Sequence, residues 1–235
     1  MALLFAIPAP SVAIRNRSER FPVSRIYCVG RNYAAHAREM GSNPERESPF
    51  FFSKPANAVT ENGIVMPYPS RTADLHHEVE LVVALAGPTL AVKGENLSLD
   101  EAQVAIFGYA VGIDFTRRDL QAEAKDKARP WDTAKGFDNS APMSALTPVA
   151  DAGDITSAEI NLKVNGAQRQ HGAISDLIWS IPELIAELST FYRLQPGDLI
   201  FTGTPAGVAA VVTGDTLVGE IDNLETLSIS IGARS

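Results

Sequence analysis

The chain has 235 residues, 45% hydrophobic and 20% charged, a globular mixture that excludes a disordered or fibrous protein. Its net charge of -8, with basic residues scattered, argues against a nucleic-acid surface, and no apolar run approaches the length that spans a bilayer. One cysteine, Cys28, excludes an internal disulfide framework and fits a reducing compartment, so a cytoplasmic location is expected.

In chain order, the opening "MALLFAIPAP" lacks a basic start and contains Pro8 and Pro10, which reads against a signal peptide. The alternating run "SRIYCVG" predicts a strand. "NYAAHAREMG" predicts a helix over residues 32–41, capped by Asn32 and stopped by Gly41. Strands are expected at "PFFFSK" and "VELVVALA". A helix starting at Ser98 or Asp100 is expected to give way to a strand near Gly108, with that strand reaching Asp114. "INLKVNG" predicts a strand ending at Asn165-Gly166, a strong hairpin signal. "SIPELIAELSTFY" carries a capping box, Ser180 with Glu183, and an apolar face of Leu184, Ile185, Leu188 and Phe191. "DLIFTGT", entered through a Pro196-Gly197 turn, and "LETLSISIG" predict the last strands. No linker divides the chain, so a single domain over residues 1–235 is expected, with residues 1–20 as an N-terminal extension packing on it.

The stretch "DLHHEVELVVAL" places Glu78 and Glu80 two apart in a strand-like run, so both carboxylates, with His76, leave one face while Val79, Leu81 and Val83 leave the other. Two adjacent anions are unfavourable in a low dielectric unless one is protonated or a cation lies between them. Asp114 follows the apolar run Ala110 to Ile113, another acid where a core residue is expected. Three carboxylates on strand-like segments suit a hard divalent cation, Mg²⁺ or Mn²⁺. The alternative is that both glutamates lie on the solvent face of an edge strand and Asp114 begins a turn. His76 and His77 raise zinc as a rival, but no HExxH or cysteine pair supports it. His36 and Glu39, three apart on one helix, can form an oriented imidazole or a solvated surface pair. Lys54, Arg117, Arg118 and Lys135 are the cationic candidates, and Arg118 and Gln121 share a helical spacing. His171, beside Gly172, reads as a loop histidine without a role.

Together, "YCVGRNYAAHAREMG", "FFFSKPANAV", "LHHEVELVVAL", "GYAVGIDFTRRDLQ", "AKGFDNSAPMS", "LKVNGAQRQ" and "GDLIFTGTPAGV" resemble the fumarylacetoacetate hydrolase family, in family order over residues 27–208. They are most similar to its short, single-domain acylpyruvase branch. The resemblance implies an α+β, β-rich fold around a mixed, rolled β-sheet with few peripheral helices, usually a homodimer, with a Mg²⁺ or Mn²⁺ site. It implies Glu78, Glu80 and Asp114 as metal ligands and His36 with Glu39 as a water-activating dyad on a lid helix. Lys135 would be catalytic, while Lys54, Arg118, Gln121 and Thr204 would line the substrate pocket. Larger members supply a further aspartate shortly before the dyad histidine, where this chain has Val29, Gly30, Arg31 and Asn32; three protein carboxylates are therefore expected. The implied activity is cleavage of an acylpyruvate, with fumarylpyruvate, an intermediate type in aromatic-compound catabolism, as the best candidate. Oxaloacetate decarboxylation and isomerisation of a related 2-keto acid are the rival activities, and a non-catalytic keto-acid binder is the rival class. Arg31, Arg38 and Arg129 are candidates for a distal carboxylate, with the pocket wall expected from Ala122 to Trp131.

Overall fold

The computed structural model describes residues 4–39 and 47–234. All seven strands expected from the sequence form, as Arg25–Gly30, Phe50–Lys54, Val79–Leu85, Ile106–Ile113, Glu159–Val164, Asp198–Phe201 and Leu227–Arg234. A six-stranded mixed sheet runs in the order Thr147–Pro148, Ile106–Ile113, Val79–Leu85, Asp198–Phe201, Arg25–Gly30, Phe50–Lys54. A five-stranded sheet runs Ala167–Ala173, Glu159–Val164, Thr216–Ile221, Leu227–Arg234, Val65–Tyr68. Residues Asn165 and Gly166 both have positive φ, 52° and 78°, as a tight hairpin between twisted strands requires.

The strand Val79–Leu85 is buried along its whole length, because both faces of its sheet are covered. Val79, Leu81, Val83 and Leu85 enter the larger apolar core, which also takes residues of the five-stranded sheet. Val82 and Ala84 face the second core, with Ile26, Cys28, Ala110, Met143 and Phe201. The hairpin Ser11–Ala13 and Arg20–Pro22 contributes Val12 and Phe21 to that second core, and the Leu146 N–H donates to Ala13 O at 2.9 Å. Among the described residues no helix is long and apolar enough to cross a membrane.

Several local expectations change. The run "DLHHEVELVVAL" is two strands rather than one: Leu75–His77 belongs to a separate three-stranded sheet, and the chain breaks at Glu78 before Val79–Leu85. The helix around His36 spans Ala34–Glu39, and the Gly41 stop lies outside the described residues. Asn32 does not cap it. Its amide donates to Thr202 O at 2.9 Å and Trp179 O at 3.0 Å, and its Oδ1 accepts from the Trp179 N–H at 2.8 Å. Buried backbone groups needing partners outweighed the local capping preference. The helix Leu99–Val104 starts from Ser98, which closes a capping box with Glu101, and the strand after it spans Ile106–Ile113, so the chain turns to strand two residues before Gly108 and within the Ile106 to Asp114 stretch that the sequence marks. In the helix Ile181–Phe191, Leu184, Ile185 and Leu188 are buried as the spacing requires, whereas Phe191, its last residue, is 63% exposed. His171 lies in the strand Ala167–Ala173, facing Asn161 Oδ1 at 2.9 Å. The helix Arg118–Asp126 and the strand Thr216–Ile221 have no counterpart among the sequence expectations.

Candidate metal centre and catalytic cleft

The register of one strand pair builds the acidic cluster. Val79–Leu85 and Ile106–Ile113 are antiparallel, with Val79 opposite Ile113 and Glu80 opposite Gly112. Extending the ladder by one step puts Glu78 opposite Asp114, and the Asp114 N–H donates to Glu78 O at 2.8 Å. Opposed residues share a face, as do residues two apart. Glu78, Asp114 and Glu80 therefore project together at the sheet end, and Gly112 adds no side chain there. They are 6%, 0% and 2% exposed, and one oxygen from each lies within 4.8 Å of the others. The central position of Val79–Leu85 removes the edge-strand alternative for the glutamates.

Cations surround two of the three acids. The Lys135 ammonium donates to Asp114 Oδ2 at 2.6 Å and Glu78 Oε2 at 2.9 Å, Lys54 Nζ is 2.8 Å from Asp114 Oδ1, and the Arg118 guanidinium donates to Glu78 Oε1. Thr116 Oγ1 adds a bond to Glu78 at 3.2 Å. Among the described residues Glu80 receives only the Gly203 N–H, at 2.8 Å. The charge states follow this asymmetry. Burial raises the Glu78 pKa, but Lys135 and Arg118 outweigh it and hold the carboxyl well below its usual range. Burial pushes Glu80 well above its usual range, and Asp114 and Glu78 push it further. For Lys135 burial favours the neutral amine, yet Asp114 and Glu78 overcome it and raise its pKa. Its two carboxylate partners thus favour Lys135 as an ammonium.

The donor set fits a hard divalent cation: all donors are oxygens, they converge, and Glu80 is the carboxyl whose ionised form no protein cation compensates among the described residues. Neither His76 nor His77 joins the cluster. His76 faces Asp74 Oδ1 at 2.8 Å, and His77 Nδ1 meets Gln170 Oε1 at 2.8 Å, which leaves the zinc alternative without nitrogen ligands from this pair.

A cleft opens over Glu78 and Glu80, walled by His36, Arg118, Gln121, Lys135 and Thr204. His36 is buried, and its Nδ1 is 3.3 Å from Glu39 Oε2. Glu39 is held in turn by the Gly207 N–H at 3.2 Å. A proton on Nδ1 shared with Glu39 leaves Nε2 as the basic nitrogen. Arg118 and Gln121 stand on the first turn of Arg118–Asp126, joined by a 2.6 Å bond from Nη1 to Oε1. Thr204 Oγ1 accepts from Gln170 Nε2 at 2.8 Å.

Lys54 departs from its expected place. It is 2% exposed and does not line the cleft; its ammonium is consumed by Asp114, Phe115 O at 3.2 Å and Lys135 O. Its ammonium thus supports Asp114 of the acidic cluster. Of the distal candidates, Arg31 lines the cleft, whereas Arg129 lies in a separate groove with Arg71 and Leu120. Thr116, Gln170 and Gly203 were not singled out from the sequence. The positive φ of Gly203, 103°, was signalled only by its residue type, and a Cβ there would lie 2.8 Å from Asn32 Cβ.

The profile described as Fumarylacetoacetate (FAA) hydrolase C-terminal matches residues 25–231. The chain is 44% identical over 186 residues to fumarylpyruvate hydrolase of a Ralstonia species, covering 79% of this chain and 94% of the relative. It is 43% identical over 203 residues to an oxaloacetate tautomerase of Escherichia coli, covering 86% and 90%. A crystal structure of fumarylpyruvate hydrolase from Pseudomonas aeruginosa, in complex with Mn²⁺ and pyruvate, superposes with a TM-score of 0.94 at 48% identity, covering 99% of this chain and 100% of that one. With its β-rich fold and acidic centre, this chain belongs to the fumarylacetoacetate hydrolase family.

Proposed function

We propose that this chain is a Mg²⁺- or Mn²⁺-dependent hydrolase that splits a carbon–carbon bond in an acylpyruvate, with fumarylpyruvate as substrate and fumarate and pyruvate as products. The carrying observation is that His36, backed by Glu39 at 3.3 Å, walls the same cleft as the acidic cluster. A water-activating pair beside a keto-acid site serves hydrolysis, whereas decarboxylation needs no water nucleophile. The Ralstonia and Pseudomonas relatives carry the same activity in their names.

Glu78, Glu80 and Asp114 would hold the cation, which when bound supplies Lewis-acid polarisation of the 2-oxo group and compensates the substrate's charge. Arg118 and Gln121 bind the adjacent carboxylate. His36 Nε2 takes a proton from water, and the hydroxide attacks the distant acyl carbonyl carbon. The bond between that carbon and the methylene then breaks. Its electron pair passes to the pyruvate fragment as an enolate, stabilised by the Lys135 ammonium, and protonation at carbon gives pyruvate. Thr204, oriented by Gln170, completes the wall.

The similarity to an oxaloacetate tautomerase supports a second reading, enolisation or decarboxylation of oxaloacetate in the same cleft. Both readings generate an enolate next to a carboxylate and differ in the need for His36 as a base on water. A homodimer, a cytoplasmic location and a role in aromatic-compound catabolism complete the proposal and rest on the family resemblance, with the free thiol of Cys28 fitting a reducing compartment. The test is removal of divalent cations by chelation followed by their return. Pyruvate release from fumarylpyruvate that vanishes and returns with Mg²⁺ or Mn²⁺ supports the proposal; release indifferent to the cation opposes it.

A further inference from the structure

The cleft extends past Arg118 and Gln121 to a second pair of cations, Arg31 and Lys125. Lys125 lies on the same helix, Arg118–Asp126, four residues after Gln121 and seven after Arg118. Positions i, i+3 and i+7 share a helix face, so all three side chains address one side of the cleft. At 1.5 Å per residue, Lys125 stands roughly 6 Å along the axis from Gln121 and roughly 10 Å from Arg118.

Arg31 reaches the cleft through an unusual backbone. Its φ is +60°, a conformation that here is otherwise adopted mostly by asparagine among non-glycine residues. Such a conformation is disfavoured in a residue with a Cβ and persists only where neighbours impose it. The neighbour is Asn32, fixed by its three bonds to Thr202 and Trp179.

Charge accounting separates this pair from the other cations. Lys54, Lys135 and Arg118 each have a carboxylate of the acidic cluster as partner. Arg31 and Lys125 have, among the described residues, only aromatic rings: Arg31 Cζ is 5.7 Å from the Phe50 ring centre and Lys125 Nζ is 5.2 Å from that of Trp131. Those two rings touch edge to face at 5.6 Å, giving an apolar floor between the cations. Burial lowers the Lys125 pKa, and repulsion from Arg118 and Arg31 lowers it further, a cost that a bound anion would relieve.

We infer that Arg31 and Lys125 form a subsite for a second carboxylate at the far end of the acyl chain, making the cleft selective for an extended dioxo diacid over an acylpyruvate with an uncharged acyl chain. The identity of the near carboxylate rests on the acylpyruvate reading above. In an extended seven-carbon diacid such as fumarylpyruvate the terminal carbons are roughly 7–8 Å apart, at about 1.25 Å of advance per bond. That span falls between the Gln121 and Arg118 offsets from Lys125. The carboxyl carbons of oxaloacetate, roughly 4 Å apart by the same measure, fall short of it.

The test uses the full-length, metal-loaded protein and two ligands that lack the 4-oxo group and so are not cleaved, 2-oxoheptanedioate and 2-oxoheptanoate. Calorimetry on the wild type is expected to give tighter binding of the diacid by about 100-fold, the order produced by two charge-assisted contacts. Arg31→Gln and Lys125→Gln each reduce that preference about tenfold and the double variant abolishes it, while 2-oxoheptanoate binds all four proteins within twofold. Equal binding of both ligands by the wild type overturns the inference, as does parallel weakening of both in the variants. Because no turnover is read, failure of the hydrolase proposal leaves this result standing; retained hydrolysis with no diacid preference removes the subsite alone.

Discussion

Among the described residues Glu80 Oε2 accepts a single hydrogen bond, from the Gly203 N–H at 2.8 Å. Its neighbour Glu78 instead meets Lys135, Arg118 and Thr116. This difference fixes which acid responds to pH. The Glu80 pKa is raised well above 4.5 in the folded chain, so the native state holds a proton there that the unfolded chain has released. Its contribution to metal-free stability is therefore greatest near and below pH 4.5 and is lost as pH rises through the shifted value. Thermal unfolding of metal-free wild type and Glu80→Gln across pH 5 to 9 checks this. The stability of wild type relative to the variant is expected to fall with rising pH, and Mg²⁺ or Mn²⁺ is expected to restore it in the wild type alone. A difference independent of pH would show that Glu80 titrates normally.

Lys135 neutralises two buried carboxylates from 2.6 and 2.9 Å. Lys135→Met leaves both acids without that charge and is expected to destabilise the metal-free protein by about 3–5 kcal/mol, as loss of one member of a buried ion pair does. Denaturant unfolding with and without divalent cation reads the effect, and the cation should recover part of it.

His36→Ala is expected to lower kcat for acylpyruvate hydrolysis by roughly 10²–10⁴-fold, the range of general-base catalysis. Enolisation or decarboxylation of oxaloacetate should fall far less. Steady-state assays on both substrates check this; equal losses would assign His36 to substrate binding.

Gly203→Ala meets two obstacles, a φ of 103° and an added Cβ 2.8 Å from Asn32 Cβ. Displacement of this turn moves the N–H that holds Glu80. The variant is expected to lose about 1–3 kcal/mol of stability and to bind Mn²⁺ at least tenfold more weakly. Unfolding and metal titration measure the two losses, and unchanged metal affinity would uncouple Gly203 from the centre.

The seven principal strands were legible because apolar residues recur along short runs with turn residues at their ends. The cluster was legible because Glu78 and Glu80 interrupt one such run and Asp114 ends another. The break at Glu78 was hidden, since the apolar alternation continues through it and only tertiary pairing divides the two sheets. Arg118–Asp126 escaped for the opposite reason: "RDLQAEAKD" is mostly polar, and its buried residues are Gln121 and Ala124 rather than large apolar side chains. Its role is to carry Arg118, Gln121 and Lys125 along the cleft. Asn32 and Lys54 show a second limit. Each has a residue type that suits a local role, cap or ligand binder, and each is committed by burial to distant backbone groups that sequence spacing does not reveal.

The most direct measurement is product analysis on metal-stripped protein with Mg²⁺ or Mn²⁺ restored, offered fumarylpyruvate, acetylpyruvate and oxaloacetate in parallel. Metal-dependent formation of fumarate and pyruvate, much faster than any reaction of oxaloacetate, is the expected result. Faster enolisation or carbon dioxide release from oxaloacetate, with fumarylpyruvate left intact, would contradict the account and leave the His36 and Glu39 pair without its water.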